Sequence, residues 1–178
     1  MGQYWYPVNL DKKEYVCPHK LGSGLKLWEQ LANHPGTGGA LVVLCAAMTE
    51  PRGGGDFDME DNWHGEERTF PTHNANPGPM PDDYPSVAKR TIGRWAGDRI
   101  AFIGDYAEPG DIPGARADLI YGACQEGGCD TFDMSEDDRA EAEALGEFAD
   151  ISEDVCRVLE HELQGEFQGD GWRDFVRK

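Results

Sequence analysis

The chain has 178 residues and carries 34 acidic side chains against 16 basic ones, a formal charge of −18. Its 23 Gly and 11 Pro imply much irregular backbone, but a chain of this length buries about 70% of its unfolded surface, so one domain over residues 1–178 is expected without disulfide or metal staples. No apolar run reaches the roughly 20 residues needed to cross a bilayer, and no basic-then-apolar leader opens the sequence, so we expect a cytoplasmic protein with no membrane partner.

The charge is segregated along the chain. Residues 1–48 carry four Lys against Asp11, Glu14 and Glu29, whereas residues 105–170 hold twenty acidic groups against Arg116, Arg139 and Arg157. A salt-adapted surface would be acidic throughout, so the pattern points to a local acidic face.

From the N-terminus, residues 3–8 and 14–17 read as short strands joined by an Asn9-Leu10-Asp11-Lys12 turn, a first β-hairpin. Pro7 cannot donate to a ladder, which assigns its strand to an edge. Ser23 is placed to cap a helix over residues 24–33, with Leu27, Trp28 and Leu31 toward the core and Lys26, Glu29, Gln30 and Asn33 toward water. Residues 40–48 are apolar without a break; their Ala, Leu and Met content favours a helix, for which Thr37 is a cap.

Residues 49–90 hold no sustained apolar period and read as a long Gly/Pro-rich loop, of a length that is usually either functional or disordered. Residues 90–95 and 99–103 flank Ala96-Gly97-Asp98 as a second hairpin. The C-terminal part, 135–165, reads as an acidic helical segment: Ser135 caps one helix and Ser152 a second, in which Val155, Val158, Leu159 and Leu163 form one buried stripe and Asp154, Arg157, His161 and Glu162 lie elsewhere. The expected architecture is α+β, a small antiparallel sheet of two hairpins covered by three or four helices.

Three patterns bear on chemistry. Residues 56–67 resemble the calcium loop of EF-hand proteins: with Asp56 first, Asp58 is third, Glu60 fifth and Glu67 twelfth, which implies Ca or Mg held by oxygen ligands. Asp61 stands where that loop has Gly, Trp63 where it has a small apolar residue, and glycines replace the entering helix. Residues 102–110 resemble the middle block of calcineurin-like metallophosphoesterases, in which the Asp of a Gly-Asp step (here Gly104-Asp105) bridges two metals; the family's Asp-x-His and Gly-Asn-His blocks are missing. Cys124 and Cys129, with Cys17 near His19, have metal-ligand character, but C-x4-C alone fits reduced thiols better, and Cys45 and Cys156 sit on apolar faces. Gly22-Ser23-Gly24 has the look of a phosphate turn without a third Gly or a following Lys, and a helix cap explains it.

The reading these features favour is a non-enzymatic acidic interaction protein that docks a basic partner surface through Glu136, Asp137, Asp138, Glu141, Glu143, Glu147, Asp154 and Glu162, the carboxylates standing in for nucleic-acid phosphates. Direct nucleic-acid binding is not expected from so negative a chain, and Lys89, Arg90, Arg94 and Arg99 are expected to pair with its own acidic C-terminal region. The alternatives are a divalent-metal-dependent hydrolase or metal-binding protein using Asp56, Asp58, Glu60, His64, Glu67 and Asp105, and a structural subunit of an assembly.

Overall fold

In the computed structural model the described residues are 3–32, 36–47, 82–125 and 135–163. They form an α+β unit. Strands β1 (Trp5–Asn9), β2 (Glu14–Tyr15), β3 (Ile100–Gly104) and β4 (Ala149–Asp150) make one sheet in the order β3-β1-β2-β4. Helices α1 (Glu29–Ala32), α2 (Gly36–Cys45), α3 (Tyr84–Thr91), α4 (Ala117–Gln125), α5 (Glu136–Leu145) and α6 (Ser152–Leu163) surround it.

The first hairpin is present. Asn9 Oδ1 accepts the amides of Asp11 and Lys12 at 3.0 and 2.9 Å, a side-chain mimic of a backbone turn that closes β1 onto β2. The second hairpin is not. Residues 84–91 are helical and lead through turns to Ile100, and β3 pairs with β1 instead, antiparallel from Trp5↔Gly104 to Asn9↔Ile100. β4 pairs with β2 in parallel, so the sheet is mixed. β1 is therefore central, despite Pro7. The ring nitrogen points to the β2 side, where the ladder is already ending, and the Pro7 carbonyl still accepts the Val16 amide at 3.2 Å. Of the loop assigned to residues 49–90, Tyr84–Thr91 is helix α3, with Pro in its first turn where no amide is needed; residues 48–81 lie outside the described residues.

Strand alternation sends side chains to two cores, one on each side of the sheet. Tyr6, Val8, Tyr15, Cys17 and Ile103 pack with Ile120, Tyr121 and Cys124 of α4 and with Phe148. Val16, with partly buried Ile100, faces α2, α3, α6 and the fully buried Trp95. The apolar run is helix α2 as expected, its C-terminal carbonyls satisfied by the turn that follows α3: the Gly93 and Trp95 amides donate to Val43 and Leu44 at 2.9 and 2.8 Å.

The 24–33 helix shrinks to α1; Lys26 and Glu29 face water as expected and Leu27 is half-buried, but three side chains are reversed. Trp28 and Leu31 are exposed, whereas Gln30 is buried and donates to the carbonyls of Trp5 and Leu25 at 2.8 and 3.0 Å. It occupies the place a β2 residue would take beside the start of β1, so a polar amide belongs inside. Ser23 does cap a helix, but it is α2: its Oγ accepts the Thr37 amide at 3.1 Å.

Candidate interaction surface

The acidic segment is built from α5, β4 and α6. Gly146, at φ +82°, ends α5 in the left-handed region that glycine tolerates, and the chain then adds β4 beside β2. Asp150, rather than Ser152, caps α6: its Oδ1 accepts the Ser152 amide at 2.9 Å, while Oδ2 meets Lys20 Nζ at 2.5 Å. Ser152 is buried, with its hydroxyl donating to Asp150 and accepting the Cys17 amide at 2.7 Å, which ties α6 to the hairpin. The α6 stripe is as expected at Val155, Val158 and Leu159, but His161 is buried too, its ring 3.9 Å from that of Tyr84.

The chain's own cations engage many of its carboxylates. Glu14 on β2 is the most enclosed: Arg94 grips it through Nε and Nη2 at 2.9 and 2.6 Å, and the Trp95 indole donates at 2.9 Å. Burial acts to raise this carboxyl, but the hydrogen bonds from Arg94 and Trp95 together outweigh it and hold Glu14 below its ordinary value. Arg90 makes a two-point pair with Asp154 at 2.8 and 2.6 Å, which holds the Asp154 carboxyl low. Lys12 bridges to Asp98, Arg99 to Asp11, and Arg157 to Asp83 and Glu153. Arg116 binds Asp118 and reaches across to Glu141 on α5; its guanidinium is raised by those two hydrogen bonds, Asp118 first.

These pairs sort the nominated docking residues. Asp154 is committed to α3, and Glu141, though exposed, is engaged by Arg116. Glu136, Asp137 and Glu147 are exposed and carry no ion pair among the described residues. Asp138 and Glu143 lie on α5 and Glu162 on α6, with side chains outside the described set. Arg90 pairs with the acidic segment as anticipated; Arg94 and Arg99 turn to the N-terminal hairpin instead.

Asp56, Asp58, Glu60, His64 and Glu67 lie outside the described residues. Asp105 is described. Its Oδ1 accepts the Tyr4 amide at 3.0 Å, and its own amide donates to the Tyr4 carbonyl at 3.0 Å, so it closes the end of the β1/β3 ladder. Among the described residues, no group of three or more His, Cys, Asp or Glu side chains is placed to hold a metal ion. Cys17, Cys124 and Cys156 are buried and outside any disulfide among the described residues, and burial raises both Cys124 and Cys156; Cys45, assigned to the core from its apolar neighbours, is exposed.

Sequence reasoning missed one surface. Trp28 and Leu31 of the α1 region and Val42 of α2 are large apolar groups in solvent, and Leu31 Cδ2 lies 3.9 Å from the position a Cβ on Gly38 would take, one turn before Val42. The uninterrupted apolar run was a clue to it. A helix apolar all round is ordinarily covered all round, and α2 buries Ala40, Val43 and Leu44 on one side alone. No helix among the described residues is long and apolar enough to cross a membrane. No protein-family model, curated protein or solved structure matches this chain.

Proposed function

We propose that this is a non-enzymatic acidic interaction protein that docks a basic partner surface, with α5 and the turn leaving it as the contact. The observation that carries the reading is selective pairing. Arg90, Arg94, Arg99, Arg116 and Arg157 are each held by named carboxylates, while Glu136, Asp137 and Glu147 remain exposed and unpaired among the described residues. Unpaired carboxylates at the start of α5 and in the turn leaving it offer a basic surface negative charge in place of phosphates, and complementary charge speeds encounter and fixes register. Asp154 leaves the docking set, because removing it from Arg90 would cost more than a surface contact returns.

The test uses polylysine as probe and two charge-matched variants. Glu136→Gln/Asp137→Asn/Glu147→Gln removes three charges from the proposed contact; Asp82→Asn/Glu108→Gln/Glu160→Gln removes three exposed charges elsewhere. The first is expected to weaken binding at least about tenfold more than the second, and binding of the unaltered chain is expected to fall steeply between low and high salt. Equal losses in the two variants, or an affinity indifferent to salt, would overturn the proposal.

A further inference from the structure

Helix α2 buries Gly36, Thr37, Ala40, Val43 and Leu44 and turns the rest of its surface outward. Gly38, Val42 and Cys45, at i, i+4 and i+7, run along that outward face; Val42 is 71% exposed, Cys45 is exposed, and exposed Ala47 follows them. None of these groups is charged. From Gln30 to Thr49 the chain runs 20 residues without an Asp, Glu, Lys or Arg, the longest such run in a sequence of which 28% is charged. The solvent side of a helix is ordinarily where charges sit, so this side is composed as a contact surface. Its relief is uneven. Leu31 forms an exposed shoulder beside Gly38, with its Cδ2 3.9 Å from the position a Cβ there would take, and exposed Trp28 lies one turn before Leu31. At the other end of the face Cys45, Ala46 and Ala47 present only small side chains.

We propose that this face packs against the same face of a second copy of the chain, the two α2 helices antiparallel about a two-fold axis at Val42. An isologous contact must be complementary to itself. Antiparallel, Gly38 of one copy stands opposite Ala46 of the other, so the Trp28–Leu31 shoulder of each rests over the small end of its counterpart. Parallel, shoulder would meet shoulder and the small ends would face each other across a gap. Charge selects the same occupant. A basic partner finds no counter-charge on α2, and two molecules of charge −18 repel wherever carboxylates meet; α2 brings none together, and Glu29, the carboxylate nearest in sequence, is paired with Lys26 at 3.6 Å. Area agrees. The exposed parts of Trp28, Leu31, Val42, Cys45 and Ala47 come to about 500 Å² per copy, so a pair buries roughly 1,000 Å², the lower bound for a specific interface and the size of a weak, reversible dimer. The inference does not depend on the acidic docking face, and salt separates the two: pairing strengthens as salt screens the repulsion between copies, whereas docking to a basic partner weakens.

The experiment is analytical ultracentrifugation of the full chain across concentration and ionic strength, with iodoacetamide alkylation of Cys45 followed on its own peptide. A dimer favoured by concentration and by salt is expected, and Cys45 should alkylate more slowly in proportion to the fraction dimerised. Val42→Asp and Val42→Lys each set like charges against one another on the axis and should raise the dimer dissociation constant about tenfold. Mixed, the two variants should pair with each other more tightly than either does with itself, because a two-fold axis at Val42 sets Asp against Lys. Val42 is 71% exposed, so neither change disturbs the core; should either variant fail to fold, alkylation of the unaltered chain decides. A monomer at every concentration and salt would overturn the proposal. So would a dimer whose Cys45 alkylates at the monomer rate, or a mixture of the two variants that pairs no better than each alone. Slow alkylation of Cys45 in the dilute monomer would overturn it too, since the face would then be covered by another part of the same chain.

Discussion

Glu14 and Trp95, 81 positions apart, are joined by a 2.9 Å hydrogen bond from the indole Nε1 to a carboxylate oxygen. With the two-point grip of Arg94 on the same carboxylate, it fastens the N-terminal hairpin to the turn between α3 and β3. Glu14→Ala is expected to destabilise the protein by about 2 kcal/mol in urea unfolding, because the buried indole N–H and a half-buried guanidinium lose their acceptor together. The figure lies below the roughly 3–5 kcal/mol of a fully buried pair, since the Arg94 side chain keeps 30% of its surface in water. A loss within about 0.5 kcal/mol would show that the hairpin is not fastened here.

Ser23 and Gly36 interact through a shared space. Gly36 has φ +32°, and a Cβ there would stand 2.1 Å from the Ser23 hydroxyl that caps α2. Ser23→Ala should cost about 1 kcal/mol through the lost cap. Gly36→Ala should cost more, from backbone strain and displacement of the same hydroxyl. The double variant is expected to cost less than the two losses added, because the clash disappears with the hydroxyl. Strict additivity in thermal melts would separate the two positions.

What the sequence made legible was local. The α6 stripe at Val155, Val158 and Leu159 is an i, i+3, i+4 spacing within little more than one helical turn, and the Asn9 turn is four adjacent residues. What it concealed was long-range. β3 reads as half of a hairpin because its neighbours in sequence resemble strand, yet its ladder partner lies more than ninety residues earlier. Ser23 advertised a cap, but the amide it accepts is fourteen residues on rather than three. The acidic segment was legible as a group from composition; that Asp154 and Glu141 are claimed by Arg90 and Arg116 depends on the packing of α6 against α3 and of α5 against α4.

Acid should unfold the protein through its paired carboxylates. Glu14 and Asp154 both titrate below their ordinary values in the folded state, so at intermediate pH the folded chain binds fewer protons than the unfolded one. Their stabilisation is fully present above the unfolded values, about 4, and is lost as pH falls through the folded ones. The urea midpoint is expected to drop on going from pH 5 toward about 3. Arg90→Gln should flatten part of that decline by freeing Asp154. Arg94→Gln should move the Glu14 contribution to higher pH, because burial then acts against a carboxylate bonded to Trp95 alone. An unchanged profile in both variants would assign the acid sensitivity to other groups.

The exposed Trp28 and the buried Gln30 of the α1 region make opposite claims about neighbouring side chains. Were Trp28 a core residue, as its spacing with Leu27 and Leu31 suggests, truncating it would cost roughly 3–5 kcal/mol. It is 77% exposed, and Trp28→Ser is expected to shift stability by no more than about 0.5 kcal/mol. Gln30, which the same spacing assigns to solvent, is fully buried and holds the Trp5 and Leu25 carbonyls. Gln30→Ala should cost about 2 kcal/mol by leaving the buried Trp5 carbonyl without a donor and the Leu25 carbonyl with the Trp5 amide alone, and Gln30→Leu should cost nearly as much although it fills the volume, since volume cannot replace an amide. Thermal melts of the three variants decide between the readings: a large loss at Trp28 with a small one at Gln30 would restore the amphipathic helix and remove the exposed apolar surface shared with Leu31 and Val42.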